Sequence, residues 1–324
     1  MTVSERKSLL QEKYKLSPVL ADRLLSEISA KDFYIKVDDY LKEKPKPFVK
    51  WVGGKRQLLS QFKDLRLYPP QEFNYARNTY YEPFVGGGAV FFDMLPKKAV
   101  LSDSNTELVT TYNIIKNDVD SLIGLLNSDY YIYDKERYLE IRALPQKKRV
   151  LSNLEVAARF IYLNRTCFNG MYRVNQSGHF NVPFGRYNSP QICDEVNLKN
   201  VSKSLKKITI INEGYEKVLT KAKPGDFVYF DPPYYPVSKT ASFTSYTSGV
   251  FLEKEQEALR DTFLELNDRG CFVMLSNSDT PFIKGLFTPY QKDGVTIHKV
   301  QAGRSINSNA NKRGKVFEVV VTNY

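Results

Sequence analysis

The chain has 324 residues, 42% of them hydrophobic, enough for a sizeable core and for one large or two ordinary domains. Its 47 Lys and Arg outweigh 36 Asp and Glu, for a net charge of +11 and a pI near 9.3. Three scattered cysteines (Cys167, Cys193, Cys271) and two histidines (His179, His298) form neither a disulfide framework nor a paired zinc-ligand pattern, and neither a bilayer-length apolar run nor a signal-peptide core is present, so a cytoplasmic protein without metal is the expectation.

A surface this basic favours a polyanion such as nucleic acid through counterion release, although a lysine-rich proteome would leave the same mark. The 22 Tyr and 20 Phe suit base stacking, and many of them must also be core.

Along the chain, residues 1–46 read as a helical extension. Ser17-Pro18 supplies an N-cap followed by proline at the first helical position, Leu20, Leu24 and Ile28 recur at helical spacing, and Pro45-Lys46-Pro47 breaks the pattern. An additional DNA clamp, a packing arm and a dimer contact are all open for it. From Phe48 the pattern changes. Strands are predicted at Thr79–Glu82, Ala99–Ser102, Lys207–Ile211, Phe227–Phe230, Cys271–Ser276 and Val316–Thr322, with a helix beginning near Ala89 and another over 252–267 that Gly270 stops. This alternation predicts an α/β sheet whose ligands bind at the carboxyl ends of its strands. Residues 106–195 break the alternation. A helix over 154–166 and a type I turn at Asn175-Gln176-Ser177-Gly178 between two extended runs predict an inserted helical body carrying a basic β-hairpin. The expected division is therefore 1–46, then 47–105 with 196–324 as the main domain, and 106–195 as the insertion.

The most informative residues are Asp231-Pro232-Pro233-Tyr234, directly after the predicted strand Phe227–Phe230. Prolines fix φ and lack an N–H, so the lip they form offers carbonyl acceptors without competing donors. The carboxylate adds an acceptor and the tyrosine a stacking face, which together suit a planar ring with an exocyclic amino group such as adenine. An ordinary strand-to-loop turn accounts for the same four residues. The run Pro83-Phe84-Val85-Gly86-Gly87-Gly88 sits between a strand and a helix, where glycines let backbone approach a ligand closely. Asp103, at the end of the next strand, can accept hydrogen bonds from the two ribose hydroxyls of a nucleoside cofactor. In Lys50-Trp51-Val52-Gly53-Gly54-Lys55, Trp51 either packs beside a cofactor or belongs to the core, and Lys55 either neutralises a cofactor carboxylate or is solvated.

In this order, the Lys50–Lys55 segment, the Phe84–Gly88 loop, Asp103-Ser104-Asn105, Asn169–Asn175, Gly178–Gly185 and the Asp231–Tyr234 tetrad resemble the Dam-like DNA adenine-N6 methyltransferases of the GATC type. Ser238–Tyr246 is similar to the family's loop after the tetrad. The resemblance covers about residues 48–324 and implies a Rossmann-like methyltransferase sheet with an inserted target-recognition domain at 106–195. It implies S-adenosylmethionine as cofactor, held by Trp51, Lys55, Phe84, Gly86, Gly87, Gly88, Asp103 and Asp231, and a catalytic tetrad of Asp231, Pro232, Pro233 and Tyr234. Double-stranded DNA is the implied partner, read by Lys50, Asn169, Met171, Arg173, Pro183 and Arg186. Phe168 departs from relatives that carry Tyr, so a hydroxyl contact there is lost. Lys312-Arg313-Gly314-Lys315 reads as a phosphate-facing patch or a solvated turn. A metal-independent monomer that flips its target base is expected, in a restriction–modification pair, a phage or a housekeeping system. An RNA-directed enzyme and a catalytically silent DNA-binding protein are the alternatives.

Overall fold

The structure, a computed structural model, describes residues 2–12, 44–147, 150–237, 251–303 and 315–324, with isolated positions between 21 and 37. Ser17-Pro18, the loop 238–249 and Lys312-Arg313-Gly314 lie outside the described residues. Among those described, α1 covers Val3–Glu12 and α2 Leu59–Asp64. The sheet and its first crossover follow as β1 (Tyr80–Glu82), α3 (Ala89–Met94) and β2 (Ala99–Ser102). The insertion brings α4 (Thr106–Asn117), α5 (Val119–Leu126), α6 (Lys135–Ala143) and α7 (Asn153–Thr166), and α8 (Glu195–Leu205) leads back to the sheet. Then come β3 (Thr209–Ile211), β4 (Phe227–Phe230), α9 (Glu253–Asp268), β5 (Phe272–Ser278), α10 (Pro281–Phe287), β6 (Thr296–Gly303) and β7 (Lys315–Thr322).

Seven strands form one sheet in the order β3-β2-β1-β4-β5-β7-β6. The first five pair in parallel, and β7 runs antiparallel to both β5 and β6. The strand order reverses between β1 and β4, which opens a crevice at their carboxyl ends. β6 is the strand that the sequence pattern does not reveal. It lies at the edge of the sheet, and only Val300 and Ala302 of its residues are buried, so it carries almost no apolar alternation.

Alternation along the strands sorts side chains between two cores. Tyr81, Val228 and Phe230 face one side, where Leu259, Phe263 and Leu266 of α9 cover them. Tyr80, Leu101, Phe227 and Tyr229 face the other, and that core continues without a break into Leu108, Tyr112, Ile161 and Val182 of the inserted segment. The central helix of the insertion, α7, begins with a reciprocal cap. The Glu155 N–H donates to Ser152 Oγ at 3.3 Å, and the Ser152 N–H donates to Glu155 Oε2 at 2.9 Å. A short hairpin follows it. A bridge joins Val174 to Phe180, Asn175 N donates to the His179 carbonyl, and Gly178, at φ 75°, donates back to the Asn175 carbonyl to close the turn.

Candidate active site

The glycine loop leaves β1 and enters α3 through two residues in the left-handed region, Gly86 at φ 46° and Gly88 at φ 68°. A side chain at Gly86 would meet Trp51 Nε1 at 2.5 Å, and one at Gly88 would meet the Tyr112 hydroxyl at 2.7 Å. Glycine is therefore required here by close approach as well as by conformation. Trp51 is in turn stacked against Tyr172 and Phe160, and the Tyr112 hydroxyl donates to the Gly86 carbonyl at 3.0 Å. At the end of β2, Asp103 accepts the Gly86 N–H at 3.0 Å and the Asn105 N–H at 2.9 Å. Burial raises its pKa, and those backbone donors oppose the rise. Phe84 turns to the other side of the sheet, stacked on Tyr215 and edge-on to Phe230 and Phe251.

Asp231 directly follows β4. Its Oδ1 lies 2.7 Å from Lys55 Nζ, which also donates to the Gly53 carbonyl at 2.5 Å. Lys55 is 3% exposed, a buried ammonium whose charge is met by the tetrad. Desolvation pushes the Asp231 carboxyl up to about 6, Lys55 pulls against that rise, and the neighbouring Glu318 adds to it. A second carboxyl stands nearby at the end of β1. Glu82 is 2% exposed, accepts the Tyr80 hydroxyl at 2.8 Å, and is pushed by burial up to about 8, so it is protonated at neutral pH.

The tetrad's backbone is pinned by a relay. The Pro233 carbonyl accepts from Gln256 Nε2, Gln256 Oε1 accepts from Asn277 Nδ2, and Asn277 Oδ1 accepts the Tyr235 N–H. Among the described residues the Pro232 carbonyl accepts no hydrogen bond, so one carbonyl of the lip is committed and its neighbour is open. Tyr234 donates its hydroxyl to Glu318 Oε2 at 2.7 Å, and Lys55 Nζ lies over its ring, 4.7 Å from the centroid. Glu82, Glu318, Tyr112 and the Gln256–Asn277 relay had no motif to announce them. Their signal is positional, since each lies beside the crevice only after the sheet has formed.

The expected recognition residues separate into two groups. Asn164 Oδ1 accepts the Lys50 N–H, and its Nδ2 donates to the carbonyls of Lys50 and Gly170. The Lys50 stem thus lies against Gly170, and its Nζ sits over Tyr187. Asn169, in the left-handed region at φ 55°, is exposed beside it, as are Pro183 and Arg186. Phe168 is 49% exposed, with its N–H donating to the Pro183 carbonyl. Arg173 lies on the hairpin, where its Nε and Nη2 donate to the side chain and backbone of Asn181. Met171 differs from the rest. It is 8% exposed and set into the core, so it does not join that surface.

This strand order, with a glycine loop after β1, an acid closing β2 and Asp-Pro-Pro-Tyr after β4, defines a Rossmann-like methyltransferase fold. Residues 51–306 match the D12 class N6 adenine-specific DNA methyltransferases, and the chain belongs to that family. It is 43% identical to the type II methyltransferase M1.LlaDCHI of Lactococcus lactis subsp. cremoris, across 86% of this chain and 95% of the relative. It is also 43% identical to the type II methyltransferase M.MjaIII of Methanocaldococcus jannaschii, across 86% and 99%. The DNA adenine methylase of Escherichia coli K12 is 34% identical, across 86% and 95%. The protein is thus an adenine-specific DNA methyltransferase acting at N6. Among the described residues no helix is long and apolar enough to cross a membrane.

Proposed function

We propose that the enzyme takes its methyl group from S-adenosylmethionine and modifies adenine within GATC in duplex DNA, after drawing the base out of the helix, as a cytoplasmic monomer. The observation that carries the reading is the pairing of two acceptors at one lip: the Asp231 carboxylate and the uncommitted Pro232 carbonyl, beside the glycine loop.

The residues present fit the cofactor. Glycine at 86 and 88 lets Trp51 and Tyr112 close directly on the loop backbone, which sets the Trp51 ring beside the loop. Each Asp103 oxygen accepts one backbone N–H and keeps a lone pair for a ribose hydroxyl. An ammonium has three donors, and Lys55 spends two on Asp231 and Gly53, leaving one for a carboxylate. When bound, the cofactor supplies an electrophilic methyl on a sulfonium. Trp51 would flank it, Asp103 hold the ribose, and Lys55 the carboxylate.

The chain's own part is positioning and charge. Asp231 and the Pro232 carbonyl accept the two N6 hydrogens, which orients the nitrogen's electron density and stabilises positive charge as it develops there. The proton can leave after the methyl has been transferred, so Asp231 need not be a strong base. A stacked base cannot reach an enclosed pocket, so extrusion is required, with Tyr234 stacking on the extruded ring. Lys55 Nζ lies over one face of that ring, and the base would stack on the other. Mapping modified adenines at single-base resolution, after incubating unmethylated genomic DNA with enzyme and S-adenosylmethionine, tests the site. Modification confined to GATC is expected, and a different sequence context would overturn it.

Within GATC, Arg173 is the candidate for a bidentate contact to a guanine edge, with Asn181 orienting its guanidinium. Family resemblance assigns Lys50 to the first guanine. Arg173→Ala is expected to cost about 1–3 kcal/mol of discrimination at one base pair, measured on GATC and singly substituted duplexes. Uniform weakening on every duplex would make it a phosphate contact instead.

A further inference from the structure

We propose that Glu318 is a positioning residue for the target-base clamp: its carboxylate holds the Tyr234 hydroxyl and thereby anchors the ring before a base arrives. The proposal rests on the reading that Tyr234 stacks on the extruded adenine.

Glu318 lies on β7, opposite Ser278 of β5 and Val300 of β6. Along β7, Val319 and Val321 enter the core under α9, while Val316 and Val320 face the other core. Glu318 shares the face of Val316 and Val320, which is also the face of Tyr80 and Tyr229 and, by alternation, of Glu82 and Asp231. A strand made last in the sequence therefore delivers a carboxylate into a crevice built from β1 and β4.

What it does there follows from how Tyr234 is otherwise held. The tetrad has left the strand, so no ladder sets the ring's direction. Gln256 and Asn277 fix the backbone on either side of Tyr234 through the Pro233 carbonyl and the Tyr235 N–H, which are main-chain bonds and leave the ring's direction to its own partners. The phenolic oxygen lies on the axis of the second side-chain torsion, so a hydrogen bond at the far tip fixes the first torsion through the oxygen's position and orients the second through the O–H, which prefers the plane of the ring. The 2.7 Å contact to Glu318 Oε2 is that bond, with a carboxylate oxygen as acceptor. Carboxylates nearby and burial both keep the phenol protonated, so it stays a donor. Fixing the ring beforehand removes an ordering cost from the step in which the base is seated, and an effect of that kind falls on the reacting complex.

The test combines Glu318→Leu, Glu318→Gln, Tyr234→Phe and the Glu318→Leu/Tyr234→Phe double variant in the full-length enzyme. Each is followed by kcat, by KM for duplex DNA, and by the fluorescence of 2-aminopurine at the target position. Glu318→Leu and Tyr234→Phe are each expected to lower kcat about tenfold, the scale of one charge-assisted hydrogen bond, with KM for DNA within about twofold. The double variant should lose no more than either single one, because both remove the same bond. Glu318→Gln, whose amide oxygen accepts the same hydroxyl, should return to within about threefold of the parent. Losses that multiply in the double variant, or a Glu318→Gln enzyme as impaired as Glu318→Leu, would overturn the positioning role. A Tyr234→Ala enzyme separates the two claims. Parental turnover and fluorescence in it would remove the stacking role and Glu318's purpose with it. A crippled Tyr234→Ala enzyme beside multiplying losses would overturn the positioning alone.

Discussion

Replacing Asp231 with Asn is expected to lower turnover by about a thousandfold while DNA affinity stays within a few-fold. Removal of one pre-aimed electrostatic partner of a developing charge costs on the order of 10²–10³ in kcat, and Asp231 supplies both an acceptor and the site's negative charge. Asn is the informative substitution because it keeps the volume and an acceptor for Lys55. Asp231→Ala should be as inactive; both variants strip a buried ammonium of its counterion, which costs roughly 3–5 kcal/mol of stability in comparable settings, and Ala also removes the acceptor and leaves a cavity. Methyl incorporation and DNA-binding anisotropy measured in parallel check both halves. The same carboxyl sets an acid limit. With its pKa at about 6, Asp231 is protonated below that pH, and a neutral carboxyl is the poorer acceptor. The kcat/KM of the parent should therefore fall about tenfold per pH unit below pH 6. An Asp231→Asn enzyme that turns over at the parental rate would remove Asp231 from the chemistry.

The second large effect is on stability. Glu82 is held neutral in the folded protein, with a pKa of about 8 against a usual value of 4.5. Between those two pH values the native state keeps a proton that the unfolded chain has released, so stability falls as pH rises through this window. Below 4.5 both states are protonated, and above 8 both are ionised, so the slope vanishes at either end. Glu82→Gln retains an acceptor for the Tyr80 hydroxyl and has no proton to lose. It should match the parent near pH 4.5 and exceed it by a few kcal/mol at pH 8, at about 1.4 kcal/mol per unit of displacement. Urea midpoints across that range provide the measurement. A parent that gains stability on Glu82→Gln as pH rises would show that the carboxyl is ionised in the fold.

Much of this was legible in the sequence. The buried strands announced themselves through short runs of aromatic and β-branched residues, as at Phe227–Phe230, and the glycine loop through its place between strand and helix. The helices at Asn153–Thr166 and Glu253–Asp268 followed from their periodicity. What stayed hidden depends on distant parts of the chain. The Lys55–Asp231 pair joins a turn before β1 to the end of β4, and the sequence offered Lys55 only a cofactor carboxylate or solvent. Met171 sits in a motif whose two ends, Asn169 and Asn175, are exposed, and its burial follows from how the segment after α7 folds back onto the core. β6 lacks the apolar run that marks a strand because, at the edge of the sheet, just two of its residues, Val300 and Ala302, are buried.

The insertion of β7 between β5 and β6 bears on how the molecule is made. Among the described strands β6 is bonded to the sheet through β7 alone, and β7 follows every other one in chain order. While the chain is still emerging from the ribosome, β5 presents an unpaired rim and β6 has no partner in the sheet. Glu318 is also still missing from the crevice. The crevice is thus completed only once β7 has been made, and removal of residues 315–324 would leave an open sheet edge prone to self-association.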